Sequence, residues 1–320
     1  MAEDEDYPAT LLAFEPRFAT EAACRAYLFT LRWPGGFVCP RCEGGQAWAT
    51  VHHRWVCTAC RHQTTATAGT IFQDTRQPLG LWFRAMWHVT SQKNGASALG
   101  RQRVLGLGHY LTAWSWLHKL RRAMVRPGRD RLGGEVEVDE TYVGGLAEGP
   151  RGRGSQNKAL VAIAAEQEGK GIGRIRLARI ANASAKSLRA FVEASVMPGR
   201  PVHTDGWEAY GGLPVWGYRH TVSVLRGQAP DAATKLLPRV HRVAALLKRW
   251  LLGTHQGAVR PDHLDYYLDE FTFRFNRRTS ASRGKLFYRL VQQAVEVPPA
   301  PYKQLKGGNP NPLGQVESIR

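Results

Sequence analysis

Cys39-Pro-Arg-Cys42 and Cys57-Thr-Ala-Cys60 constrain the fold more than any other feature of this chain. Each Cys-x-x-Cys turns so that its two thiolates face one point, and two such knuckles complete a tetrahedron of sulfur about 2.3 Å from a zinc ion. The 14 residues between the knuckles hold short strand-like stretches, as in QAWATVHHRWVC. The segment therefore reads as a zinc ribbon closed by a hairpin. A redox Cys-x-x-Cys is the competing reading, and the second knuckle at this separation argues against it. His52 and His53 could compete as ligands, but four cysteines already fill the shell. With no open position, Zn2+ here supports folding and not catalysis. Cys24 falls on the apolar side of a helix expected over 20–32, with Thr20 as its N-cap, and reads as a small core residue.

Charge narrows the partner. Forty-four Lys and Arg against 26 Asp and Glu give a net charge of +18. A surface with that excess collects phosphate backbones through counterion release and steering. Nucleic acid is the default partner, against the plainer alternative of a basic protein without that role. The opening MAEDEDYPAT lacks the basic flank and apolar run of a leader, and no stretch approaches the roughly 20 apolar residues of a membrane span. A cytoplasmic, nucleoid-associated bacterial protein with no membrane partner is expected.

From Pro78 to Met124 apolar residues recur at helical spacing, punctuated by Asn94-Gly95 and Gly106-Leu107-Gly108. The last segment interleaves Trp114, Trp116 and Leu120 with Lys119, Arg121 and Arg122. That suits a helix-turn-helix-like module whose final helix enters a major groove, with Arg101 and Arg103 as further DNA contacts. An ordinary three-helix packing module with a solvated basic face has the same pattern.

RPGRDRLGG (126–134) breaks the helical pattern and reads as a linker. Beyond it the chain reads as strand 135–143, a Gly/Arg-rich loop, strands 158–166 and 171–180, helix 184–196 and strand 201–206. Helices over 239–253, 261–276 and 282–295 follow. Strands around one helix argue for an α/β or mixed-sheet domain. The expected fold is multidomain α/β. Its parts are an N-terminal helical segment (1–35), the zinc ribbon (36–66), the helix-turn-helix-like module (76–125), the linker (126–134), a mixed-sheet catalytic domain with C-terminal helices (135–296) and a flexible tail (297–320).

Asp139, in GEVEVDETYVGG, is expected at the end of the first strand of that domain, and Asp205, in HTDGWEAY, at the end of the fourth. If the strands are adjacent, two hard carboxylates can share Mg2+ or Mn2+ and support phosphodiester chemistry. Two surface aspartates at strand ends fit the spacing equally well. Glu140 is sent to the opposite face by strand alternation and reads as structural. Glu208 is a reserve acid. Asp262, Asp265, Asp269 and Glu270 read as solvated or capping charges of a helix.

Four stretches carry a family resemblance: LRWPGGFVCPRC (31–42), VEVDETYVGG (136–145), HTDGWEAY (203–210) and HLDYYLDEFTFRFNRR (263–278). In them the chain resembles the ISXO-like insertion-sequence transposases, DDE-type enzymes with an N-terminal zinc ribbon and a ribonuclease-H-like catalytic domain. The resemblance implies DNA transposition with a metal-binding triad whose first two members map onto Asp139 and Asp205. The family's third position lies on a helix, as Glu or in some groups Asn or His, with Lys seven residues later. Counting back from LLKR gives His241 and Lys248, which share one helix face. An imidazole binds Mg2+ less well than a carboxylate does and suits Mn2+ better.

Arg151 and Arg153 in the Gly-rich loop, with Arg239, Arg242, Lys248 and Arg249, would flank the cleft and neutralise phosphates. The resulting expectation is a transposase that binds terminal inverted repeats in double-stranded DNA and performs metal-dependent cleavage and strand transfer, acting as a homodimer or larger assembly. The alternative is a domesticated, catalytically inactive transposase kept as a sequence-specific DNA-binding protein. A zinc-ribbon transcription factor ranks last, because it gives VEVDETYVGG and HTDGWEAY no role.

Overall fold

The computed structural model describes residues 5–126, 128–144, 158–224, 235–257 and 259–307. Its strands are β1 (Ala47–Ala49), β2 (Trp55–Cys57), β3 (Gln63–Thr64), β4 (Val136–Val143), β5 (Ala159–Glu168), β6 (Gly171–Ile180), β7 (Pro201–Thr204) and β8 (Arg219–Val222). Its helices are α1 (Leu11–Arg17), α2 (Glu21–Arg32), α3 (Leu79–Ser91), α4 (Ala98–Leu105), α5 (Tyr110–Ala123), α6 (Ala185–Ser195), α7 (Pro238–His255), α8 (Leu264–Asn276), α9 (Arg283–Ala294) and α10 (Tyr302–Lys306). Thr20 caps α2 as its sequence position predicts, its hydroxyl accepting from Ala23 N–H at 3.2 Å. The chain forms two compact units, one up to Met124 together with Ser280–Leu305, the other Val125–Thr279.

In the first unit, β1, β2 and β3 form a small antiparallel sheet beside the cysteines. The aromatic ring of Phe29 on α2 packs on Trp55 at 4.4 Å, so the ribbon rests on that helix. Helix α9, expected from sequence in the second domain, belongs instead to this unit. Phe287 packs edge-on or tilted among Phe14, Phe18, Phe83 and Trp87 at ring separations of 5.3 to 5.7 Å. A large aromatic side chain buries more area in that cluster than a surface helix position offers. The expected flexible tail also begins too early: Val297, Ala300 and Leu305 are fully buried, and α10 forms within it. Residues 308–320 lie outside the described residues.

The second unit is built on a mixed five-stranded sheet in the order β6-β5-β4-β7-β8. Antiparallel pairing joins β4, β5 and β6, while β7 and β8 run parallel to β4. Alternation divides its side chains between two faces. Val136, Val138, Ala162, Ala164 and Val202 pack with Leu188, Phe191 and Val192 of α6. Val161, Ile163, Ile175 and Leu177 pack with Val240, Val243 and Leu247 of α7 and with Leu268 and Phe271 of α8. The expected α/β architecture with a mixed sheet is present, with helices on both faces. Strand β8 went unread in the sequence, because its four residues are largely exposed and carry no apolar alternation.

The segment read as a linker is structured from Arg129 onward. Leu132 is fully buried and bridges Val196, and Glu166 Oε1 accepts from the backbone N–H of Gly133 and Gly134, both at 2.9 Å. Asp269 and Glu270, read as solvated charges, are buried on α8, and Glu270 holds Arg274 at 2.8 Å.

Candidate active site and zinc centre

The two knuckles adopt the same local fold. In each, the residue after the second cysteine takes a left-handed conformation, Glu43 at φ 62° and Arg61 at φ 59°. Its N–H reaches back to the first cysteine's carbonyl, Glu43 to Cys39 at 2.9 Å and Arg61 to Cys57 at 3.1 Å. All four sulfurs lie within 4.8 Å of one another, with Cys39–Cys60 and Cys42–Cys57 each at 3.6 Å. A tetrahedral zinc with bonds of about 2.3 Å sets its sulfurs about 3.8 Å apart. The four thiols fit a structural Zn2+, and His52 and His53 sit exposed on the hairpin turn. Among the described residues no other group of three or more potential ligands converges this tightly. Cys24 is buried in the helical core, as expected.

In the second unit, Asp139 lies within β4 and not at its end. Pairing with β5 continues from Val136 to Val143, so the strand outruns its other neighbour. That neighbour, β7, stops at Thr204, and its parallel register with β4 sets Val136 against Val202 and Glu137 against His203. Two further residues bring Asp139 level with Asp205 where the second strand ends. With Val136, Val138 and Val202 packed toward α6, alternation turns Glu137, Asp139 and Asp205 to the face covered by α7.

Helix α7 carries His241 to that face. Val240, Val243, Leu247 and Leu251 form its buried stripe, and His241 and Lys248 lie on the adjoining stripe. His241 Nε2 is 3.6 Å from Asp139 Oδ2 and is buried without a hydrogen-bond partner. Two ligands about 2.1 Å from one ion stand roughly 3 to 3.5 Å apart. Burial holds the His241 pKa below its ordinary value, against the pull of Glu137 and Asp205, which favours the neutral imidazole that a metal ligand must be. Partial desolvation of its stem, then Lys158, lowers that of Lys248, with Asp139 opposing. Two carboxylates and an imidazole thus share one face, a donor set whose chemistry would suit a divalent ion.

Two contacts that sequence reasoning missed hold these elements together. Glu137 is buried and accepts from the backbone N–H of Arg239 and Val240 at 2.7 and 2.9 Å, while its other oxygen pairs with the Arg239 guanidinium at 2.7 Å. Arg239, read as a group flanking the cleft, is thereby engaged with Glu137. Glu140 faces the opposite side, as expected, and accepts from the Tyr210 hydroxyl at 2.9 Å. Burial, followed by the Glu140 charge, pushes the Tyr210 pKa far up, so the phenol stays a donor. Glu208 is exposed beside it.

Three of the expected DNA contacts are not at the surface. Arg101, Arg121 and Arg122 are buried, because the second half of α5 is enclosed on more than its apolar face. Arg103, Arg242, Lys248 and Arg249 are exposed and Lys119 is half-buried, near the Trp82 ring. Arg151 and Arg153 lie outside the described residues.

Comparison with known proteins decides the family. The ISXO2-like transposase domain matches residues 131–276, and the transposase zinc-ribbon domain matches residues 19–63, together more than half of the chain. The chain belongs to the ISXO2-like transposase family. An uncharacterized protein in transposable element ISH50 of Halobacterium salinarum is 25% identical over 277 residues, covering 80% of this chain and 91% of that one. The zinc-ribbon match of this ISXO2-like transposase includes α2, in keeping with the Phe29–Trp55 contact. Its transposase-domain match ends at Asn276, before α9 departs for the first unit. Among the described residues no helix is long and apolar enough to cross a membrane.

Proposed function

We propose that this protein binds the terminal inverted repeats of an insertion sequence and catalyses divalent-metal-dependent cleavage and strand transfer of its DNA ends. The reading is carried by the parallel pairing of β4 with β7, whose register, continued two residues, brings Asp139 level with Asp205 just past the end of β7, with His241 beside Asp139. Bound there, Mg2+ or Mn2+ would activate a water or 3′-hydroxyl and stabilise the leaving oxygen of an in-line displacement. Asp139 and Asp205 supply hard oxygen ligands, and the His241 imidazole supplies the third. Lys248, one to two turns further along the same helix face, meets a phosphate beside the scissile bond, and the exposed Arg242 and Arg249 neutralise its neighbours.

DNA recognition falls to the zinc ribbon and to α4 and α5, joined by a Gly106-Leu107-Gly108 turn in a helix-turn-helix arrangement, with Arg103 and Lys119 as its remaining basic contacts. Two ends must be cut in one event, so a homodimer or larger assembly acts on DNA. The test incubates full-length, zinc-loaded protein with labelled transposon-end duplex and Mg2+ or Mn2+. Nicking or strand transfer is expected, and Asp139→Ala should abolish it while leaving end binding intact. Tight end binding with no metal-dependent cleavage would establish the domesticated DNA-binding alternative instead.

A further inference from the structure

We infer that Glu137 is a positioning residue of this site: its buried carboxylate docks the start of α7 onto β4 and so holds His241 against Asp139. The inference rests on the catalytic reading above and deepens it. Helix α7 has no capping side chain of its own, for Leu237 stands at its N-cap and Pro238 opens it. The first N–H groups of a helix need acceptors. Glu137, 102 residues earlier in the chain, takes those of Arg239 and Val240 on one oxygen and the Arg239 guanidinium on the other.

Geometry makes this contact more than a cap. Glu137 and Asp139 are two residues apart on one strand face, and Val240 and His241 are consecutive on the helix. The bonds from Glu137 therefore fix the helix both in height along β4 and in rotation about its own axis, the two coordinates that decide where the imidazole lies. Val240, Val243 and Leu247 pack the helix onto the sheet, but apolar packing is non-directional and tolerates sliding. Charge-assisted bonds at 2.7 Å to backbone and side chain do not. A carboxylate that orients a ligand without touching the ion commonly governs about ten- to a hundredfold in metal affinity or activity.

The experiment uses full-length, zinc-loaded protein without DNA. Mn2+ binding is followed by the spin resonance of the free ion, and amide hydrogen exchange of α7 is measured alongside. Glu137→Ala is expected to weaken Mn2+ binding about tenfold and to speed exchange at Arg239 and Val240. Glu137→Gln, whose amide oxygen still accepts from both N–H groups, should bind within about threefold of the parent, and an equal loss in both variants would overturn the proposal. Because Glu137 acts through His241, adding Glu137→Ala to His241→Ala should cost almost nothing more. A full tenfold further loss in that background, or unchanged exchange in α7, likewise overturns it. Failure of the catalytic reading shows separately, as a parent protein with a protected α7 that neither binds Mn2+ outside its zinc ribbon nor cuts ends.

Discussion

Asp205 is followed at once by a residue that only glycine can supply. Gly206 has φ 81°, and a Cβ there would lie 2.8 Å from Val222 Cγ1 on the neighbouring strand. The turn lets Asp205 Oδ1 accept from Trp207 N–H at 3.0 Å, which orients the carboxylate as β7 ends. Gly206→Ala should cost about 1–2 kcal/mol for the left-handed backbone alone, with the clash added, and should weaken metal binding by displacing Asp205. Urea unfolding and Mn2+ titration measure the two effects, and an unchanged Mn2+ affinity would mean that the turn does not orient Asp205. At the third position the donor type sets the expectation. His241→Glu replaces an imidazole with a harder ligand, so the ratio of Mn2+-supported to Mg2+-supported cleavage should fall. An unaltered ratio would remove His241 from the ligand set.

At the scale of elements, the acid sensitivity of the second unit should centre on Glu166 of β5. Burial works to raise its pKa, but Arg174 at 3.1 Å and the N–H groups of Gly133 and Gly134 outweigh it and hold the carboxylate below its ordinary 4.5. A group lowered in the folded state contributes fully above its unfolded value, and that contribution is lost as pH falls through the lowered one. Glu166→Gln should therefore flatten the loss of urea stability as pH falls below about 4.5, and an unchanged acid limb would refute the assignment. Periodicity made β4, β5, β6 and α6 legible to within a residue or two, since strand and helix spacing are local properties. The roles of Glu137 and Glu166 were not, because their partners lie 102 and 33 residues away. Nor was the burial of Arg121 and Arg122, which depends on how many sides of α5 are covered. His241 was found by counting from LLKR under a family resemblance, and no local signal in RVHRVAALLKR marks that histidine above its neighbours.

On the scale of the whole molecule, residues 5–8 pack against α9, nearly 280 residues later, within one unit. Glu5 pairs with Lys285 and Arg289, Tyr7 lies 5.9 Å from Tyr288, and the Tyr27 hydroxyl donates to the Asp6 carbonyl. This closure depends on Gly284, where a Cβ would fall 1.7 Å from the Pro8 carbonyl oxygen. The glycine is in a helix, where alanine is otherwise favoured by about 1 kcal/mol. Two opposed effects follow from Gly284→Ala: a gain in helix propensity for α9 and expulsion of residues 5–8 from its surface. Expulsion should win in the intact chain and lower the melting temperature of the first unit, because the ion pairs and the Tyr7 contact are lost together. In a chain lacking residues 1–8 no carbonyl opposes the methyl group, so the same substitution should be neutral or raise the melting temperature. Calorimetry on the four combinations separates the effects. Equal destabilisation with and without residues 1–8 would show that Gly284 serves the packing of α9 itself and not the closure of the chain.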